Sequence, residues 1–401
     1  MAVLSVLAGL GMVGPFSIDT VFPAFTGIER DFAITPVATQ QLLSVYLVSF
    51  AALSLWHGPI SDAVGRRPVV LAGTVAYTLA SIGCALAPTF ELLLLLRAVQ
   101  GMSAGAGQIV SRAMVRDLYE GPQAQRVMSH IAMIFAVAPA VAPVVGGLLL
   151  LVTDWRGIFI ALAGYGVLLV IAVAVVLPET NPAQQRSPLR AALVVGSLWS
   201  IARSRDGQVL AVALTLTFAG MFAYISSAPL FIFGALGLGE RDFWILFTPL
   251  IGGMVVGSWL GGRVAHRSSR ARICAAGFAL SVAGGLGNAV IGTLLALDPT
   301  VPRLPWAVLM LPVITAGAAL SMPIITLAML DRFPDQRGAA ASVQLFVSLL
   351  VNAVVAGVVA PVLGADTRWL AIGALVSTIG GALAWRGYRR GAALAPGTVQ
   401  R

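Results

Sequence analysis

The sequence predicts an all-α integral membrane fold, twelve transmembrane helices in two six-helix halves, and three observations carry that expectation. The first is composition: 58% of the residues are hydrophobic and only 10% are charged, against about a quarter charged in soluble domains. The second is a series of apolar runs of about 20 residues, the length a helix needs to cross a hydrocarbon core about 30 Å thick. Only structures that satisfy their own backbone hydrogen bonds survive there, and a helix does so within one segment. The third is the placement of arginine. Eighteen arginines, among them Arg66, Arg67, Arg186, Arg190 and Arg386, fall in connections on one side, whereas only Arg30, Arg156, Arg241, Arg303 and Arg368 fall on the other. Basic residues near span ends stay on the cytoplasmic side, so both termini are expected in the cytoplasm, in the cell inner membrane. The net charge of +9 then calls for no nucleic-acid partner.

The basic side chains exclude several chemistries. All 25 Lys plus Arg residues are Arg, so the chain holds neither the phosphate-binding lysine of a Walker A loop nor a Schiff-base lysine. His57, His130 and His266 are too dispersed for an HExxH zinc site, and Cys84 and Cys274 lie in separate apolar runs, so neither a metal nor a disulfide framework is indicated. No cofactor is expected. The opening residues MAVLSVLAGLGMVGPF lack the basic start and cleavage site of a signal peptide and read as the start of span one.

Taken in order, span one covers 2–25 and contains Asp19, the only acid well inside a predicted span; an ionisable residue at membrane depth is a functional candidate by default. Span two, 40–58, leads through HGPISDAVGRR to span three, 69–88. That stretch is expected to be a short loop, with Gly58 and Gly65 permitting close approach or positive φ, Pro68 in the first turn of the next helix and Asp62 able to meet an arginine. Span four, 91–115, carries Arg97 and Arg112. Asp19 and Arg97 each lie about 9 Å from the outer edge at about 1.5 Å per residue, so the two are expected to face one another, with Arg112 a deeper second candidate. Span five, 127–151, contains APAVAPVVGG at 138–147, and span six runs over 156–177.

A connection over 178–207, rich in proline and arginine and without a sustained apolar run, reads as a linker between an N-terminal half (1–177) and a C-terminal half (208–386), with a tail at 387–401. The second half is expected to span at 208–233, 243–262, 273–296, 305–329, 339–363 and 368–386. A shift of 203 positions superimposes Trp56, Gly58 and Arg67 on Trp259, Gly261 and Arg270, and APVVG at 142–146 pairs with APVLG at 360–364, as in transporters built from parallel repeats. The repeat replaces Asp62 with Ala265.

The order Gly58, Ser61, Asp62, Gly65, Arg66, Arg67, Pro68 resembles the signature loop of the major facilitator superfamily. RAVQGMSAGAG at 97–107 resembles that family's fourth-span motif with its buried arginine, and Pro139, Pro143, Gly146 and Gly147 resemble its antiporter motif, with Ala142 where glycine is usual. SIDTVFPAF, SRAMVRDLY and YISSAPLFI narrow the likeness to Bcr/CflA-type drug:proton antiporters. The resemblance implies the major facilitator fold and a latch formed by Asp62 with Arg66 or Arg67, Gly58 letting helices two and eleven approach.

Competing signals are weaker. GMSAG at 101–105 matches the GxSxG nucleophile pattern, which requires a strand-turn-helix setting and here lies inside a membrane helix. Gly101, Gly105, Gly253, Gly257 and Gly261 fit close helix packing, while Gln108, Asn288, Gln344 and Asn352 fit helix-to-helix hydrogen bonds. Among candidate pocket aromatics (Met133 and Phe135 beside them, and Trp244), Phe222 and Tyr224 are expected to bind substrate together with Asp19, because sites form where repeats meet. The expected function is proton-coupled export of small amphipathic drugs by antiport, not an enzyme, working as a monomer with substrate, protons and lipid as partners. Metabolite uptake by symport in the same fold, or an intramembrane enzyme, are the alternatives.

Overall fold

The computed structural model describes residues 2–119, 121–186, 188–265, 267–298 and 300–394; most side chains between 121 and 140 lie outside that description, including those of His130, Met133 and Phe135, as do His266 and the end of the tail. Among the described residues every regular element is a helix. Eleven helical stretches of the described residues are long and apolar enough to cross a membrane, and a 29-residue helix, Gly121–Leu149, stands where the fifth span is expected.

The chain forms two compact units. The first comprises residues up to Ala191 together with the segment Leu238–Trp244. Its helices are α1 (Ala2–Asp19), α2 (Phe25–Phe32), α3 (Pro36–Thr39), α4 (Gln41–Val64), α5 (Arg66–Leu86), α6 (Phe90–Leu118), α7 (Gly121–Leu149) and α8 (Trp155–Val176). Side-chain caps start several of them: Thr89 accepts from Leu92 N at the head of α6, and Asp154 accepts from Arg156 N and Gly157 N at the head of α8. Such caps satisfy amides that have no partner inside the helix.

The second unit comprises Ala192–Gly237 and the chain from Ile245 onward. It contains α9 (Ala191–Arg203), α10 (Arg205–Ser226), α11 (Trp244–Val264), α12 (Arg270–Leu297), α13 (Trp306–Leu309), α14 (Leu311–Arg332), α15 (Arg337–Val354), α16 (Ala360–Leu363) and α17 (Thr367–Leu394). Helix pairing repeats between the units. The pairs α1 with α8, α5 with α6 and α5 with α8 recur as α10 with α17, α12 with α14 and α12 with α17. The glycines pack as their spacing predicts. A Cβ on Gly253 or Gly257 would lie 2.3 Å from the Pro312 or Ala316 carbonyl, and one on Gly101 would lie 2.2 Å from the Tyr46 carbonyl.

Several expected boundaries move, and proline or glycine explains most of the moves. Span one does not run unbroken to residue 25: α1 stops at Asp19, a 3-10 turn follows at Phe22–Ala24, and α2 continues to Phe32. Pro23 has no N–H to give the Asp19 carbonyl, which removes one helical bond at that point. The stretch HGPISDAVG is not a loop, since α4 runs through Pro59 to Val64 and the connection is Gly65 alone, at φ +116. Span seven is interrupted at Ser227 ahead of a π-helical turn over Leu230–Ala235, beside Pro229, and span eleven turns π-helical over Val355–Val359 just before Pro361. Both sites lose a donor to proline, and π turns absorb such losses. The connection 178–207 is not free of apolar structure, because AALVVGSLWSIAR forms α9.

Candidate functional site

The break after α1 places Asp19 at the last helical residue, 3% exposed, with Oδ1 lacking any hydrogen-bond partner; the neighbouring Thr20 hydroxyl is likewise buried and unpartnered. Arg97, 1% exposed, reaches toward the same stretch of chain. Its Nη1 donates to the Ser17 carbonyl at 3.0 Å and to Gln100 Oε1 at 2.9 Å, its Nε donates to the Leu42 carbonyl at 3.3 Å, and its guanidinium lies 4.6 Å from the centre of the Tyr46 ring. Gln100 in turn donates to Ser81 Oγ at 2.7 Å, and the Ser17 and Tyr77 hydroxyls are 2.6 Å apart. A buried cation is ordinarily held by an anion. Here carbonyl dipoles, an amide oxygen and a π face hold it instead.

The expected Asp19–Arg97 ion pair is therefore absent. Depth along the membrane matched the two residues, but side chains two positions apart on a helix point about 200° apart, and Arg97 meets the Ser17 backbone two positions earlier. Arg112 forms no ion pair with Asp19 either, and its side chain is exposed on α6. Tyr46, Tyr77, Ser17, Ser81 and Gln100 were not singled out from the sequence. A cluster of hydroxyls and amides around Arg97, the one buried arginine among the described residues, was the available signal. His57, 5% exposed with Nδ1 unpartnered, packs on Gly105.

The antiporter motif meets this break. A Cβ on Gly146 would lie 2.2 Å from the Thr20 carbonyl oxygen, so only glycine lets α7 lie against the backbone beside Asp19. Gly147 similarly faces the Glu240 carbonyl, 2.7 Å from where its Cβ would be. Pro143 is buried and Pro139 half-buried in the same helix.

A second cluster surrounds Gly65. Across the Gly65 connection Arg66 pairs with Asp62, four positions earlier, with Asp117 at 3.1 Å and with Ser61 Oγ at 2.7 Å. Gly65 offers no side chain to cap α5, and Glu179 does so from the chain beyond α8, accepting from Arg66 N at 2.9 Å and Arg67 N at 3.3 Å. A carboxylate at a helix N-terminus is favoured by both the free amides and the dipole. Asn181 donates to the Asp62 carbonyl at 2.9 Å and so caps the end of α4. A Cβ on Gly65 would lie 2.6 Å from Glu179 Oε2. Gly58 is different: a Cβ there would meet nothing within 4 Å, so no contact demands glycine at that position. Arg67 donates to the Ala174 carbonyl rather than to Asp62. In the second unit Arg270, which the repeat aligns with Arg67, pairs with Asp331 at 3.1 Å, and Ala265 leaves no partner for a latch pair there.

Tyr224 and Phe222 lie 2% and 5% exposed inside the second unit. The Tyr224 hydroxyl accepts from Asn288 Nδ2, its ring stands edge-on to Phe231, and Phe222 stacks on Phe218. Among the described residues no group of three or more His, Cys, Asp or Glu side chains gathers as a metal site would require.

The Major Facilitator Superfamily profile matches residues 7–356. A Bacillus subtilis (strain 168) protein named "Uncharacterized MFS-type transporter YdgK" is 32% identical over 97% of this chain and 96% of its own length. A bicyclomycin resistance protein homolog of Haemophilus influenzae is 27% identical over 88% of this chain and 87% of its own. Multidrug resistance protein D of Escherichia coli (strain K12) is 29% identical over 80% and 82%. In fold, the chain is similar to the crystal structure of a bacterial homolog of the human lysosomal transporter Spinster, with a TM-score of 0.72 and 15% identity over 98% of both chains. The resemblance read from the motifs is borne out. This chain belongs to the Major Facilitator Superfamily.

Proposed function

We propose that the protein exports small amphipathic drugs or toxic compounds across the bacterial inner membrane in exchange for protons, as a monomer with both termini in the cytoplasm and without enzymatic activity. The observation that carries this proposal is the Asp19 carboxyl, buried at a helix break with an unpartnered oxygen and braced by Gly146 of the antiporter motif. An unpaired carboxylate is costly in apolar surroundings and tolerable as a neutral acid, while contact with water or a cation favours the ionised form. Access to alternate sides then loads and unloads the proton. In the outward-facing state Asp19 takes a proton and releases substrate; in the inward-facing state it loses the proton and favours substrate again. Arg97 and the exposed Arg112 are the cations available when Asp19 is ionised. Asp62, Gly65, Arg66 and Arg67, with Gly58 nearby, form a latch remade in each cycle, and Phe222 and Tyr224 contribute with Asp19 to substrate binding. The names of the bicyclomycin and multidrug resistance relatives support drugs as the cargo.

Everted vesicles test the proposal directly. Wild-type vesicles with an imposed pH gradient, acidic inside, are expected to accumulate a panel drug, and a protonophore to abolish the accumulation. Asp19→Asn is expected to insert normally and lose gradient-driven movement. Wild-type rates in Asp19→Asn would place the proton elsewhere. Gradient-driven loss of a metabolite from the vesicles would favour symport, and chemically altered compound would favour an enzyme.

A further inference from the structure

A groove of about 840 Å³ lies in the second unit, between the start of α12 and the end of α17. One wall is a stripe of α12, Ala271, Ala275, Ala279 and Val282, whose spacing keeps it on one helix face; the other is Ile379, Ala382 and Leu383 of α17. The small alanines leave the furrow open. From Ala271 to Val282 the stripe rises about 16 Å at about 1.5 Å per residue, close to the roughly 15 Å of hydrocarbon that one leaflet of a bilayer contributes.

The end of the groove is cationic. Arg386, Arg389 and Arg390 continue the α17 face past the apolar residues, all three exposed. Two acids at that end of the unit are already engaged, Asp206 with Arg332 at 2.6 Å and Asp331 with Arg270 at 3.1 Å, and a third, Asp335, lies exposed in the turn Pro334–Gln336. Among the described residues none of the three arginines has an ion-pair partner. Arginines at a helix C-terminus complement the dipole and obey the charge rule for membrane connections, which accounts for their sign but not for an apolar furrow running up to them. Trp385 and Tyr388, rings 5.7 Å apart, mark the same level, and such aromatics mark the headgroup level of a bilayer.

We propose that this groove is a binding site for an anionic phospholipid, with an acyl chain along the alanine stripe and the headgroup phosphate held by Arg386, Arg389 and Arg390. Guanidinium forks match phosphate oxygens in geometry and charge, and basic pockets between membrane helices take anionic headgroups. A zwitterionic lipid offers the same chains without the net negative charge, so the site discriminates by headgroup.

Native mass spectrometry of the full-length protein, released from detergent with phosphatidylglycerol or phosphatidylcholine added, tests the assignment. The wild type is expected to retain phosphatidylglycerol in preference. Arg386→Gln, Arg389→Gln and Arg390→Gln together are expected to lower that retention by at least about fivefold, the value of one basic contact near an anionic lipid surface. Ala279→Trp fills the furrow and leaves the arginines intact, and it is expected to lower retention as well. Arg190→Gln, at an exposed position of the first unit, is expected to change nothing. Wild-type retention in the triple variant or in Ala279→Trp would overturn the site, as would an equal loss in Arg190→Gln. Lipid-free dimers that dissociate in the triple variant would assign the groove to a second copy of the chain and overturn it too.

Discussion

Replacing Gly146 with alanine adds one methyl at the point where α7 meets the break beside Asp19. That methyl would sit 2.2 Å from the Thr20 carbonyl oxygen, 3.1 Å from its carbon and 3.3 Å from its Cα, all backbone atoms that no rotamer change can clear. Restoring ordinary contact requires α7 and the break to part by about 1 Å, a shift whose overpacking cost is about 1–3 kcal/mol. Glycine to alanine inside a helix also gains about 1 kcal/mol of helix propensity, so the comparison needs a control with the same gain. Gly164→Ala supplies it, since a Cβ there meets nothing within 4 Å. Relative to that control, Gly146→Ala is expected to shift the folding or conformational equilibrium by roughly 5- to 150-fold, the equivalent of 1–3 kcal/mol. Thermal unfolding of the purified protein in detergent reads the first, and gradient-driven transport in vesicles reads the second. The displaced backbone carries Asp19, so transport is expected to fall even where the protein remains folded. A variant that unfolds with the Gly164→Ala control and transports at its rate would refute the reasoning.

At the Gly65 corner, Asp62 is half exposed and its pair with Arg66 is worth about 0–1 kcal/mol, whereas Glu179 accepts two backbone amides, and hydrogen bonds to a charged group are worth about 1.5–3 kcal/mol. Glu179→Ala is therefore expected to lower the unfolding temperature more than Asp62→Asn, while Asp62→Asn slows transport with substrate binding kept; the opposite order of stabilities would count against Glu179 as the cap of α5. Single cysteines at the exposed positions 241 and 267 are expected to label from opposite sides of the membrane, 267 from the cytoplasm. The native Cys84 and Cys274 are buried and give little background; labelling of 267 from outside would invert the orientation.

The amino-acid sequence by itself determined the class and the candidates. Long apolar runs leave the backbone no choice but helix in a bilayer, and a lone acid at membrane depth identifies Asp19. The break at Asp19 was also within reach, because Pro23 removes the one donor that its carbonyl needs. Motif glycines gave Gly146 and Gly65, though only the packed backbone shows that Gly146 faces Thr20 and that Gly65 makes room for Glu179. What the tertiary structure alone decided is which polar group meets which. Arg97 and Asp19 agree in depth but not in direction, since each residue along a helix turns about 100° and an error of one position in registering two helices redirects every side chain. Glu179 caps α5 from 113 residues away, through a segment whose course depends on how α8 packs against α5. Hydrophobic periodicity specifies that helices form and which faces are buried; the pairing of the few charged and polar side chains follows from rotation and distance between helices, which are set by the packing of all of them at once.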